Sequence, residues 1–146
     1  MQRRCFLGTA FVFALAAANP ALAAPPRLAF SELYARIGVM GTSFSPQVLK
    51  LKGQRITMRG YIAPPLKAEA NFFVLTRVPV SVCPFCNSDA DWPADIVVVN
   101  LKNPGTLAPG GRPVEVTGML DIGSSTDRET GFVSLVRLNQ AEWREL

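Results

Sequence analysis

Polar and apolar residues alternate along much of the second half of this chain. Arg55-Ile56-Thr57-Met58-Arg59 runs polar, apolar, polar, apolar, polar, the mark of a strand with one buried face. Pro64-Pro65 ends that segment. A second strand is predicted over 71–80, with Phe73 and Leu75 on one face and Phe72, Val74 and Thr76 on the other, so that one of the two phenylalanines is core. The third, 95–101, holds Ile96-Val97-Val98-Val99, a β-branched run typical of a strand buried on both sides. A fourth is expected over 113–120 and a fifth over 131–138, with the polar stretch 123–130 as the hairpin loop between them. Before the strands, 30–37 has a helical look: Ser31 can cap it, Leu33, Tyr34 and Ile37 share a face, and Gly38 and Gly41 stop it. Ser45-Pro46 then reads as a short turn before Val48 and Leu49.

The chain repeats itself once. Gly53-Gln-Arg-Ile56-Thr-Met58-Arg-Gly60 matches Gly111-Arg-Pro-Val114-Glu-Val116-Thr-Gly118 in spacing. Strand interiors avoid glycine, so Gly60 and Gly118 are expected to mark sharp bends or bulges where a strand curls from one sheet face to another. Five strands, two of them bent by glycine, predict an all-β fold: a small five-stranded barrel of the OB (oligonucleotide/oligosaccharide-binding) type with a short N-terminal helix.

The N-terminus reads as an export signal. Arg3 and Arg4 precede an apolar run from Gly8 to Ala18, Asn19-Pro20 breaks it, and Ala21-Leu22-Ala23 offers the small-x-small pattern of a cleavage site. The run is too short to anchor the chain in a bilayer. Arg3-Arg4-Cys5-Phe6-Leu7 also has the paired arginines of a twin-arginine signal, without its usual flanking Ser and Lys; general secretory export is the alternative. The expected organisation is a signal peptide over 1–23, a lead with a short helix over 24–47 and a barrel domain over 48–146. Cleavage would leave 123 of 146 residues, take the 15 basic residues to 13 against 11 acidic, and lower the formal charge from +4 to +2. No second long apolar run follows, so the exported protein is expected in the periplasm, soluble and without a transmembrane anchor.

There is no histidine. The commonest general base and metal ligand are therefore missing, and neither a Ser-His-Asp nor a Cys-His catalytic set can be built from this chain alone. With cleavage, two cysteines remain, in Cys83-Pro84-Phe85-Cys86. Asn87 stands where haem attachment needs histidine.

Three uses of this pair stay open, beside free thiols with no use. One reading is a redox dithiol, since Cys-Pro-aromatic-Cys looks like a glutaredoxin-type site. Such sites rest on a long helix, which the residues from Asn87 to Pro93 leave no room for, and Asp89 and Asp91 would raise a thiol pKa rather than lower it. A structural disulfide between Cys83 and Cys86 suits an oxidising compartment and would contribute about 2 kcal/mol by loop entropy. As metal ligands, two thiolates with Asp89 or Asp91 suit zinc or copper; a closed zinc site would need a second pair from another copy, whereas a two-thiolate site suits Cu(I). Phe85 and Trp92 are the apolar residues expected to contact a partner. Phe72, Phe73, Phe85 and Trp92 also suggest a base-stacking face, which the near-neutral mature charge argues against. Asp121 and Asp127, like Asp89 and Asp91, have no nucleophile or base beside them in sequence and read as loop charges.

Gly53-x-x-Ile-x-Met-x-Gly60-Tyr61-Ile62-x-Pro64, a Phe/Leu strand at 72–75 and a cysteine near residue 83 resemble an uncharacterised family of bacterial periplasmic OB-fold proteins, a domain of unknown function. The resemblance spans about residues 48–143. It implies association with a transporter component or a metal donor, and a role in metal supply. The His and Pro-Pro-x-Asn that follow the cysteine in that family are replaced here by Asp91-Trp92-Pro93-Ala94. The function expected is that of a non-catalytic binding or accessory protein working through the Cys83–Asp95 loop. The alternatives are a thiol–disulfide exchange protein and an interaction module with a structural disulfide. Ion, partner identity and oligomeric state stay open.

Overall fold

The computed structural model describes residues 23–38, 41–64, 69–80, 92–107, 109–128 and 131–146. The chain is mostly strand, and five strands close into the expected barrel: β3 (Arg55–Ile62), β4 (Glu69–Thr76), β5 (Ile96–Thr106), β6 (Pro113–Thr126) and β7 (Val133–Glu145), in the order β3-β4-β5-β7-β6. All neighbours are antiparallel except β5 and β7, which run parallel. Alternation sends Ile56, Met58, Ile62, Leu75, Val97, Val99, Val114, Val116, Leu120, Val136 and Leu138 into the barrel, where they are sealed from solvent. Among the described residues no helix is long and apolar enough to cross a membrane.

The repeat has a structural meaning. Its two copies lie side by side and antiparallel on β3 and β6, with Met58 opposite Val116, Ile56 opposite Gly118 and Gly60 opposite Val114. The arrangement is a local pseudo-twofold about the Met58–Val116 pair. The turns match as well: Gly53 and Gly111 have φ of 78° and 81°, a region open to glycine at little cost. Gly53 N donates to Leu120 O at 2.7 Å and Leu120 N to Gln54 O at 2.9 Å; symmetrically, Gly111 N donates to Ile62 O at 2.8 Å and Ile62 N to Arg112 O at 3.1 Å.

The N-terminal region differs from expectation. Over 30–37 there is one 3-10 turn, Phe30–Glu32, followed by β1 (Tyr34–Arg36), which pairs with β2 (Ser43–Phe44). Two helical turns alone are marginal. Pairing with β2 instead stacks Tyr34 on Phe44, with ring centres 5.6 Å apart, while Phe30 and Leu33 are buried. The α-helix is α1 (Pro46–Leu51), just before the barrel. Ser45-Pro46 is its start signal rather than a plain turn: Ser45 Oγ accepts from Val48 N at 3.2 Å, and Pro46 occupies a first-turn position.

β7 runs well past Leu138, where simple alternation stops. Gln140, at φ 48°, is the one non-glycine residue with positive φ among those described. It lies where β6 and β7 lose register, between the Thr117 and Met119 pairings. Before it Val136 and Leu138 point inward; after it Trp143 does, its ring edge-on to Phe73 at 6.4 Å. This bulge resets the in/out phase so that the strand can keep one face on the core. A β-branched residue tolerates positive φ poorly, so Gln140→Val is expected to cost about 1–2 kcal/mol in a urea melt. Gln140→Gly should be neutral or mildly stabilising.

The barrel has two unlike outer sides. On β4 and β5 the outward residues Val74, Thr76, Ile96 and Val98 are also buried, as the apolar run over 96–99 predicts. On β3, β6 and the end of β7 most outward residues are charged or hydroxylated, with Arg59, Glu115 and Arg144 in one cross-strand row and Thr57, Thr117 and Glu142 in the next; Met119, opposite Arg55, is an apolar exception. Hydrogen bonds from Arg59 and Arg144 hold the Glu115 carboxyl below its ordinary pKa.

Candidate functional site

β4 ends at Thr76 and β5 begins at Ile96, so the Cys-Pro-Phe-Cys motif falls in the connection between them. Cys83, Phe85, Cys86, Asp89 and Asp91 lie outside the described residues. Both ends of the connection are described. Arg77 N donates to Asp95 O at 3.0 Å, which brings the outgoing and returning chain together. Thr76, itself buried, donates from Oγ1 to the Val78 carbonyl at 2.7 Å and fixes the exit.

Trp92 fixes the return. It is only 8% exposed. Expected on an exposed loop as a partner contact, it is instead part of the core of the folded chain. Its Nε1 donates to Tyr34 Oη at 2.9 Å, and its ring centre is 6.4 Å from that of Phe132. Burial pushes the Tyr34 hydroxyl up to about 12, against the lowering effect of the bond from Trp92. Tyr34 is therefore a neutral acceptor throughout the physiological range. β1, which replaced the expected helix, thus holds the root of the cysteine connection. A cleft of about 390 Å³ opens at this root, lined by Phe30, Ser31, Tyr34, Ile37, Arg77, Ala94 and Asp95.

A second cleft, about 400 Å³, lies on the outer side of β4, β5 and β7 under the β6–β7 hairpin, with Phe72, Val98, Asn100, Phe132, Ser134 and Arg137 among its walls. Phe132 connects the two places: it contacts Trp92 on one side and stacks on Phe72, 6.4 Å away, on the other. Phe72 is the outward member of its pair and Phe73 the core member, as alternation predicts.

The deeper part of this cleft is built on Arg137, which sequence reading passed over. It stands outward on β7, in one row with Val98 of β5 and Asp121 of β6. Nε and Nη2 both donate to Asp121 Oδ2, at 3.0 and 2.8 Å. Nη1 reaches Gly123 O at 2.9 Å, Ser134 O at 2.8 Å and Ser134 Oγ at 3.0 Å. Beside it Asn100 Nδ2 donates to Asn139 Oδ1 at 2.7 Å. Asp121 is thus a partner of a buried cation, and Asp127 forms the hairpin turn, its N donating to Phe132 O at 2.8 Å. The signal available in the sequence was an arginine inside an apolar strand; what it could not give was the carboxylate opposite. Among the described residues no three His, Cys, Asp or Glu side chains gather as a metal site would require.

The motif Gly60-Tyr61-Ile62-Ala63-Pro64 is structural. Gly60 lies under the Thr76 carbonyl, and Pro64 packs on Gly110, where an added Cβ would stand 2.9 Å from the proline Cα. The motif therefore seats β3 against β4 and against the turn before β6.

No family model and no curated protein matches the chain. One solved structure shares the fold: a DUF3299 family protein from Pseudomonas aeruginosa PAO1. The match has a TM-score of 0.55 at 15% identity and covers 85% of this chain and 97% of the other. At that identity the likeness speaks for the architecture. It extends over nearly the whole of the DUF3299 chain.

Proposed function

We propose that the protein is an exported, periplasmic binding or accessory protein of the domain-of-unknown-function type that its sequence resembles, with no catalytic role of its own, which handles a soft or borderline metal ion through Cys83 and Cys86. The observation carrying this reading is the pinned root of the connection. Arg77 and Asp95 close its base, and Trp92, held by Tyr34, fixes its return to the barrel. A connection closed at its base in this way is rooted on the barrel at both ends, which suits delivery to, or receipt from, a partner such as a transporter component.

The donor set argues for the ion. Two thiolates without imidazole, with Asp89 and Asp91 following, favour Cu(I) held by the two sulfurs, or zinc shared between the pairs of two copies. Protein recovered from the periplasm under reducing conditions is expected to take up Cu(I) or Zn²⁺ stoichiometrically, read by titration against a chromophoric chelator. Cys83→Ser/Cys86→Ser should abolish uptake while the thermal midpoint moves little. Absence of uptake by the reduced parent would remove this reading. A dithiol that cycles at a potential well above −300 mV, roughly where structural bridges lie, would favour thiol–disulfide exchange instead.

A further inference from the structure

The charged side of the barrel has more cations than its carboxylates can neutralise. Arg59 of β3 and Arg144 of β7 flank Glu115 of β6, bonded to it at 2.7 and 2.5 Å, and Arg27 approaches the same carboxylate at 3.5 Å. Arg55 and Lys102 share Glu142, each at 3.2 Å. Five cations thus stand around two carboxylates. The cations are 40–67% exposed at their side chains, while Glu115 is 11% exposed. Glu115 acts as an internal template that holds three guanidiniums together; it does not cancel them.

The rest of the mature chain has no such excess. With residues 1–23 removed the formal charge is +2, and this side alone carries +3 from its five cations and two carboxylates. The remainder is therefore slightly acidic. Four of the five cations stand off β4 and β5, and Lys102, on β5, joins them through Glu142.

We propose that this side, formed by Arg27, Arg55, Arg59, Lys102 and Arg144, docks the protein on an anionic phospholipid surface. Three features favour headgroup phosphates over other partners. Guanidiniums match phosphate oxygens in geometry and stay charged at every working pH. The cations spread over the N-terminal segment and three strands, and none of them lines either cleft described above, which suits an array of anions rather than one small molecule. The outward residues in the two rows, Arg59, Glu115, Arg144, Thr57, Thr117 and Glu142, include no apolar side chain, and in the next row Met119 stands opposite Arg55 as a single apolar residue. Protein interfaces concentrate their affinity in aromatic and apolar anchors. A face with no aromatic anchor in these rows and one methionine suits surface attraction without deep insertion, in which each cation contributes roughly fivefold to binding.

The test is cosedimentation of the protein recovered after export with phosphatidylcholine vesicles, with and without about 30 mol % phosphatidylglycerol, at low and high salt. Binding is expected to the anionic vesicles only, and to fall steeply with salt. Arg27→Gln/Arg144→Gln should weaken it about 25-fold, and Arg55→Gln/Lys102→Gln should do the same, with thermal midpoints confirming that both variants are folded. Arg36→Gln/Lys50→Gln removes equal charge elsewhere and should leave binding near that of the parent. Equal binding to neutral vesicles, or an equal loss in this last variant, would overturn the proposal. So would failure on vesicles combined with retention by poly-L-glutamate, which would assign the face to an acidic protein.

Discussion

Gly60→Ala is expected to lower stability by about 3 kcal/mol and the thermal midpoint by roughly 10 °C. The added Cβ would stand 2.5 Å from the Thr76 carbonyl oxygen and 3.0 and 3.1 Å from Leu75 Cγ and Cδ1. The first of these atoms is backbone and cannot rotate away. β4 could retreat only by giving up its pairing with β3, which rests on Tyr61–Thr76 and Ile62–Leu75. Those pairs close the barrel. Its pseudo-symmetric counterpart gives an internal comparison. A Cβ on Gly118 would meet Ala141 Cβ at 3.0 Å, and Asn139 O and Leu138 Cβ at 3.1 Å. These contacts are tight but half an ångström looser, so Gly118→Ala should cost about 1–2 kcal/mol. Gly38→Ala, with nothing within 4 Å of the new Cβ, should change stability by less than about 0.5 kcal/mol. Urea melts of the three variants check the order. A Gly60→Ala protein melting within a degree or two of the parent would show that β4 shifts freely.

The same two glycines show how much of the fold could be read from the sequence. Their spacing within a repeated strand pattern picked out two special positions; what the structure shows there is the close approach of a neighbouring strand, which only a missing side chain allows. The five strands were legible where alternation was clean, and the run 96–99 declared burial on both sides. Two errors have the same origin. At 30–37 the apolar spacing fits a helix, but the competing partner, Phe44 of β2, is several residues away and invisible to a local pattern. At Leu138 alternation ends because Gln140 takes a positive φ and resets it, and nothing marks glutamine for that conformation.

The site was less legible than the scaffold. Sequence alone places the thiols between two strands. That Trp92 turns inward to Tyr34 depends on β1 occupying that spot, a long-range fact. Arg137 and Asp121 likewise meet only because β6 and β7 pair in one register. An apolar residue in a connection between strands reads as a partner contact, whereas the burial of Trp92 follows from neighbours in space.

Arg137 provides the second large effect. Its side chain is 10% exposed and that of Asp121 is 41% exposed, so the two ends of the pair should respond differently to mutation. Arg137→Met keeps the stem that packs beside Val98 but withdraws the donors from the Gly123 and Ser134 carbonyls, and should cost about 3 kcal/mol. Asp121→Ala leaves a buried guanidinium without its counter-charge. Water can reach the vacated side, so the loss should be smaller, about 2 kcal/mol. The double variant removes both partners and should cost clearly less than the two singles together, the coupling emerging from a double-mutant cycle. The effect should also be local. Gly123 has φ 113° and lies at the register shift between Ile122 and Ser125, and its carbonyl is turned onto the Arg137 Nη1. Without that bond the hairpin roof over the 400 Å³ cleft loses its tie to the barrel. Amide exchange over 123–134 should therefore quicken in Arg137→Met well before the β3–β6 amides do. If the cycle shows simple additivity and exchange rises uniformly, the arginine is packing like any other side chain, and the cleft does not owe its shape to this pair.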